Sequence, residues 1–371
     1  MRRDTTKKRI FGLDCLRAIA ILLVLLSHSA LLVAPNDNGI IITVIKLFGA
    51  TGVDIFFVLS GFLIGRIILR RIVRKQMDWN GLLRFWKRRW MRTLPNYYLI
   101  LVINIFLWFL YNGRFPEQVW KYFVFLQNFN EGQSDFFSES WSLSIEEYAY
   151  LILPFLITLF TAKYGRKIAY FVVTLLVILM LNLLKWNYFN TYEVADYYDW
   201  SHSFRKVVIY RLDAIYIGFL LAYLWNEYRT LLIRNRFFLA NLGIGLFIVL
   251  HLYLLISQTT PNTGRVFFVF IYLPLVSVSI ALTFSFFMQL LFISPFKKQI
   301  TWISKISYSL YLVNYSIVLI SLQHFFNVEQ LHFLPKVGVF MLFWVVTFIL
   351  SNFLYKQFES PVLKLRDKIY P

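Results

Sequence analysis

One cysteine, Cys15, stands in the 371 residues, so no intramolecular disulfide framework can hold this chain together. Charge is scarce as well. Asp, Glu, Lys and Arg make up 15% of the sequence, where soluble domains average about 25%. That deficit excludes an ordinary water-exposed globule. Strand-like alternation of apolar and polar residues is missing, which excludes an outer-membrane barrel. No "GxxxxGK" loop appears, so nothing points to nucleotide hydrolysis. No Gly/Ser- or Pro-rich linker and no internal repeat marks a boundary. A single integral-membrane domain over 1–371 is therefore expected, with no additional soluble domain.

What the chain does contain is apolar: 59% hydrophobic and 20% aromatic residues. These gather in windows long enough to cross a bilayer, which takes roughly 20 helical residues. The expected fold is all-α, a polytopic transmembrane bundle of about ten spans with both termini cytoplasmic. The spans fall near 11–34, 44–69, 92–111, 140–160, 168–187, 207–225, 237–256, 266–293, 303–322 and 337–357. The first run is too long for a signal sequence, carries Asp14 and Arg17, and lacks a small-residue cleavage site, so it reads as a retained span.

Lys and Arg number 38 against 19 acidic residues, a net charge of +19. Position argues against nucleic acid as the partner. With both termini inside, 27 of the 38 basic residues fall in cytoplasmic segments such as "MRRDTTKKR", "KYGRK" and the tail. That is the positive-inside asymmetry of a multi-pass protein in the plasma (inner) membrane. The stretch "RRIVRK…FWKRRWMR" is denser than topology requires.

Polar residues inside spans are costly and mark function or pairing. In "LDCLRAIAILLVLLSH", Arg17 and His28 lie eleven positions apart, close to three turns, on one face and about 16 Å apart along the axis. Asp14 is within ion-pair reach of Arg17. If the first two spans form a hairpin through "APNDNG", Asp54 falls at the depth of His28 and could orient its imidazole; it could equally serve a helix dipole. Arg89 and Arg92 share a face at the mouth of the third span, a spacing suited to phosphate oxygens. Glu146 and Glu147 point different ways on a helix, so one of them at most faces a shared cavity. Trp141 and Ser142 precede them, and Glu139 suits an interfacial role. Arg211 and Asp213 open the sixth span, while Tyr308 and Asn314 lie in the ninth. An unsatisfied Asn amide in lipid is penalised. His202, His251, His324 and His332 offer no zinc-ligand spacing, so no metal site is expected.

Taken together these stretches resemble the acyltransferase family 3 of membrane acyltransferases, over nearly the whole chain. "LDCLRAIAILLVLLSH" is similar to the opening motif, with Arg17 and His28 on it. "GVDIFFVLSGFLI" resembles the second-span signature, and "RWMRTLP" places Arg89, Arg92 and Pro95 on an Arg-x-x-Arg motif. "WSLSIEEYAYLILP" puts Glu146 on the family glutamate. "YRLDAIYIGFLLAY", "ISYSLYLVNYSI" and "FESP" match three later blocks. Two departures stand out: Asn314 sits where His is common, and Tyr148-Ala149-Tyr150 replaces Gln-Phe-Tyr.

The resemblance implies an O-acyltransferase that takes an acyl group, most often acetyl, from cytoplasmic acyl-CoA. No cofactor is expected to be bound permanently. The acceptor it implies is a hydroxyl of a surface glycan or its lipid-linked precursor. Arg17, Arg89 and Arg92 would hold the donor phosphates. His28 would act as base or transient acyl carrier, oriented by Asp54 or Glu146, with Asn314 outside any proton transfer. Without the esterase-like domain of some members, the chain would pass its acyl group to the acceptor itself or to a partner protein. Two other readings fit the intramembrane charges, a transporter of an acylated or glycan intermediate and a structural subunit of an envelope complex. Oligomeric state is left open.

Overall fold

The computed structural model describes residues 9–35, 39–164, 167–257, 259–290 and 295–370. Residues 1–8 of the first basic segment, 36–38 of the expected hairpin turn and 165–166 of "KYGRK" lie outside the described residues. Among the described residues there is no strand. Ten helices are long and apolar enough to cross a membrane. They are α1 (Phe11–Val33), α2 (Ile40–Val73), α3 (Trp79–Asn112), α4 (Ser140–Phe160), α5 (Lys167–Thr191), α6 (Val208–Glu227), α7 (Arg236–Ser257), α8 (Phe267–Met288), α9 (Lys297–Phe325) and α10 (Phe333–Ile369). The all-α bundle of ten spans is thus what the chain forms.

Burial divides the helices into two layers. α2, α6 and α9 are mostly enclosed, whereas α5, α7 and α10 bury little. Their outward residues, such as Val249 and Ile349, are aliphatic and 63% and 61% exposed. With every backbone group satisfied inside a helix, such a surface is matched to hydrocarbon.

Two close approaches fix the centre. A Cβ on Gly61 would lie 1.9 Å from the Ile215 carbonyl oxygen, and one on Gly218 2.3 Å from that of Val58. Small residues on both sides let α2 and α6 meet backbone to backbone. α1 and α2 meet in the same way, with Gly49 against Ser27 and Gly52 against Ala20 and Val24.

That register corrects an expectation. α2 begins at Ile40, four residues before the anticipated start, so Asp54 lies well inside the helix. With Gly52 against Ala20 and Val24, it stands level with residues near Ala20, about 12 Å along the axis from His28. α3 differs too. Capped by Asp78, whose side chain accepts from the Gly81 amide at 2.7 Å, it starts thirteen residues early and ends at left-handed Gly113. The basic stretch before "TLP" is therefore helix, with Leu82 and Phe85 buried beneath its arginines.

Breaks in the helices are local. α6 is interrupted at Leu212, between Arg211 and Asp213. A π-turn occupies Asn314–Leu319 of α9 and another Tyr355–Glu359 of α10. Pro154 in α4 cannot bond back to the Tyr150 carbonyl, and the Trp86 indole N–H fills that acceptor at 3.0 Å. π-turns inside helices often sit at functional positions.

Candidate functional site

A cavity of about 970 Å³ enters the bundle at the end where the described chain both begins and finishes, since Arg9 and Arg366 line it together. Ten arginines line this cavity against two carboxylates, Asp14 and Glu146. α2 contributes Arg66 and Arg70, with Arg74 four residues on at its C-cap, α3 adds Arg88, Arg89 and Arg92, and α1 adds Arg17. Such an excess of positive charge over a concave, partly apolar wall suits a polyanionic ligand.

The two carboxylates hold arginines in place. Asp14 accepts from Arg9 at 2.5 Å and from the Ser304 hydroxyl at 2.8 Å, with Arg17 at 3.5 Å. Glu146 accepts from the Ser60 hydroxyl at 3.0 Å, the Tyr150 hydroxyl at 2.9 Å and the Arg89 guanidinium at 3.0 Å. Arg89 also lies over the Tyr150 ring, 4.3 Å from its centre. Arg89 is thereby spoken for. Arg92, exposed to the cavity, has no hydrogen bond or ion pair among the described residues. Glu147 turns away from the cavity and accepts from Thr93 at 2.9 Å. Tyr308, on the cavity wall, donates to the Thr93 carbonyl at 2.9 Å.

Further in, charge gives way to Phe56, Phe57, Ser142 and Tyr311. The Tyr311 and Ser142 hydroxyls lie 2.6 Å apart, and Tyr311 also donates to the Glu139 carbonyl at 3.2 Å. Phe57 meets the Trp141 ring edge-on at 5.8 Å, and Arg205 covers Trp141 from 5.0 Å. The cavity stops at this layer.

His28 lies beyond it. The ring packs edge-on against Tyr315 at 4.8 Å, and its Nδ1 is hydrogen-bonded to the Asn314 Oδ1. Asn314 follows the cavity-lining Tyr311 by three residues, about one turn further along α9. Neither Asp54 nor Glu146 orients the ring; Asn314 does. The amide orientation is fixed, because Asn314 Nδ2 donates to the Leu310 and Tyr311 carbonyls at 2.8 Å each. The oxygen facing His28 can only accept. Nδ1 must therefore carry the proton, which leaves Nε2 with its lone pair.

Asp54 has a different partner. It bonds Arg211 at 2.5 Å; Arg211 also reaches Asp213 at 3.2 Å, and Asp213 holds Lys185 at 2.5 Å. All four are buried. Two carboxylates and two cations cancel, which is the usual condition for charge within a bundle. This quartet ties α2, α5 and α6 together and does not reach the histidine.

Sequence reasoning missed Lys185, although a lone lysine at the end of an apolar run signalled it. Ser60, which interrupts the second apolar run, and Tyr150 of the Tyr148-Ala149-Tyr150 departure were given no role beforehand, and both prove to donate to Glu146. Glu139 was expected at an interface and is buried instead, accepting from the Ser316 hydroxyl at 2.5 Å and the Ser316 amide at 3.3 Å. Burial pushes its carboxyl up to about 7. Glu359 of "FESP" accepts from Asn96 at 3.1 Å and Ser309 at 2.6 Å, joining α10 to α3 and α9. Among the described residues no cluster of three His, Cys, Asp or Glu could hold a metal.

Comparison with known proteins adds a lineage to this geometry. The profile of the acyltransferase domain family matches residues 10–356. Curated relatives include the O-acetyltransferase OatA of Staphylococcus aureus (strain NCTC 8325 / PS 47), 25% identical, with 97% of this chain and 58% of the relative aligned. The putative O-acetyltransferase SACOL0978 of Staphylococcus aureus (strain COL) is 28% identical over 95% of this chain and 57% of its own length. The chain thus spans somewhat under three-fifths of these relatives. No solved structure matches it.

Proposed function

The chain belongs to the acyltransferase domain family, and from that premise we propose that it is a membrane O-acetyltransferase using acetyl-CoA at its basic end. On this reading that end faces the cytoplasm, which agrees with the positive-inside asymmetry of the sequence. The acceptor is a hydroxyl of a surface glycan or its lipid-linked precursor, and the membrane is the plasma membrane.

The single observation that carries the reading is the cavity itself. It is lined by ten arginines, its interior turns uncharged, and its α9 wall ends at Tyr311, one turn before the Asn314 that holds His28, whose Nε2 has no hydrogen bond among the described residues. Coenzyme A has the same polarity sequence, with phosphates at one end, then a long neutral arm, then the thioester. Arg92 and Arg17 meet the phosphates, while Arg89 lends its charge from a position fixed by Glu146.

His28 is the catalytic base. Its Nε2 takes the proton from the acceptor hydroxyl as the oxygen attacks the thioester carbonyl. A carbon–oxygen bond forms, the carbon–sulfur bond breaks, and the departing thiolate recovers the proton from the imidazolium. Asn314 keeps the ring in the tautomer this requires. Ser142 and Tyr311 both line the cavity and His28 does not, so transfer requires the acyl end to pass this wall.

Purified protein in liposomes, given labelled acetyl-CoA and a glycan acceptor, tests the proposal. Label in the acceptor supports it. Acceptor movement across the bilayer without label transfer would make the chain a carrier. No effect of alanine at His28 or Arg92 would leave only a structural role.

A further inference from the structure

A second, smaller cavity of about 240 Å³ opens between α2 and α6 at the basic end, and nothing in the transfer chemistry uses it. Its apolar wall is Leu69, Ala222 and Trp225. Asn226 and three guanidiniums, of Arg66, Arg70 and Arg229, complete it, and no carboxylate lines it. Among the described residues none of the three has an ion pair or a hydrogen bond; what they meet are rings, Arg66 at 5.4 Å from Phe62 and Arg229 at 5.8 Å from Trp225.

Three like charges converging on one recess repel one another, and Arg66 and Arg70 face the same way at i,i+4. The arrangement is favourable only when an anion neutralises it. Guanidinium forks match phosphate oxygens in pairs, and basic recesses between spans at the membrane surface suit lipid headgroups. The surroundings select the source. Ile67, Leu224, Tyr228 and Leu231 flank the recess and are exposed by 40%, 38%, 53% and 57%. A flank of that kind suits acyl chains. The volume admits a phosphate and its adjoining carbons, and is too small for a whole nucleotide.

We propose that this recess binds the phosphodiester headgroup of an anionic phospholipid, with the lipid tails lying along the exposed side of α6. Arg66 and Arg70 line both cavities, whereas Arg229 lines the smaller one alone. Arg229 is therefore the residue that separates this site from the large one.

The test is native mass spectrometry of the whole chain released from detergent containing phosphatidylglycerol or phosphatidylcholine. The expected result is retention of phosphatidylglycerol over phosphatidylcholine. Arg229→Gln weakens that retention about fivefold, roughly the value of one surface cation toward an anionic lipid. Arg229→Lys keeps most of it, and both variants keep the wild-type melting temperature. Unchanged retention in Arg229→Gln would overturn the site. Equal binding of inorganic phosphate, with no preference for phosphatidylglycerol, would overturn its assignment to lipid. Neither result depends on acetyl transfer, which fails or succeeds separately.

Discussion

Asn314 does for His28 what a carboxylate does in a Ser-His-Asp triad, without the charge. Its two backbone acceptors hold the amide so that Oδ1 faces the ring, which selects the tautomer but gives an imidazolium no counter-ion. Replacing Asn314 by Leu should lower transfer strongly with donor binding unchanged, because the ring loses its orientation. Asn314→Asp should retain activity and move the acidic limb of the pH–rate profile upward, since a carboxylate stabilises the protonated ring. A profile identical to wild type would separate Asn314 from the base. Arg92 and Arg89 divide in a similar way. Arg92→Ala removes an unpartnered cavity charge and should weaken acyl-CoA binding by about tenfold at low salt, converging with wild type at high salt. Arg89→Ala strips Glu146 of its cation and should cost stability as well as affinity, read as a lower melting temperature. Glu139 gives a pH signature. Its folded carboxyl titrates near 7, above the ordinary range. The stability this protonation provides is fully present below the unfolded value and is lost as pH rises through 7. Wild type should therefore lose up to about 3 kcal/mol relative to Glu139→Gln between pH 4 and 8.

Elements explain what was legible beforehand and what was not. Hydropathy windows locate all ten helices because lipid demands long apolar runs, and Asp14 lies beside Arg17 because three residues on a helix already place them there. Asp54 was misplaced for a reason of register. Its depth depends on where α2 begins and on Gly49 and Gly52 meeting α1, and neither follows from composition. The Asn314 contact with His28 spans 286 positions of sequence, and only the packing of α1 against α9 creates it. α3 was read too short because its first three turns carry several basic residues over a thin apolar stripe, which a span-finding window discards. The quartet of Asp54, Arg211, Asp213 and Lys185 is an element-level joint. Lys185→Met should destabilise the bundle by about 3–5 kcal/mol, since it strands a buried carboxylate. Adding Asp213→Asn should recover part of that loss, as measured by thermal unfolding in detergent. A single variant as stable as wild type would show that Lys185 does not neutralise the joint.

At the scale of the whole molecule, one asymmetry organises the rest. Arginine gathers at one end, where α1, α2, α3 and the last turns of α10 surround a cavity, and the histidine stands toward the other end. The cavity opens at the arginine end, Ser142 and Tyr311 are among its walls, and His28 is not. On the proposed reading, charge selects what enters, uncharged walls carry it inward, and the imidazole is met last. The most direct measurement is the rate at which labelled acetyl appears in a glycan acceptor on one side of a liposome when acetyl-CoA is supplied on the other, for wild type and His28→Ala. Wild type is predicted to transfer label from the arginine-lined side only, and the variant to be slower by about 10²–10⁴-fold while remaining folded. Equal rates for the two proteins would contradict the account.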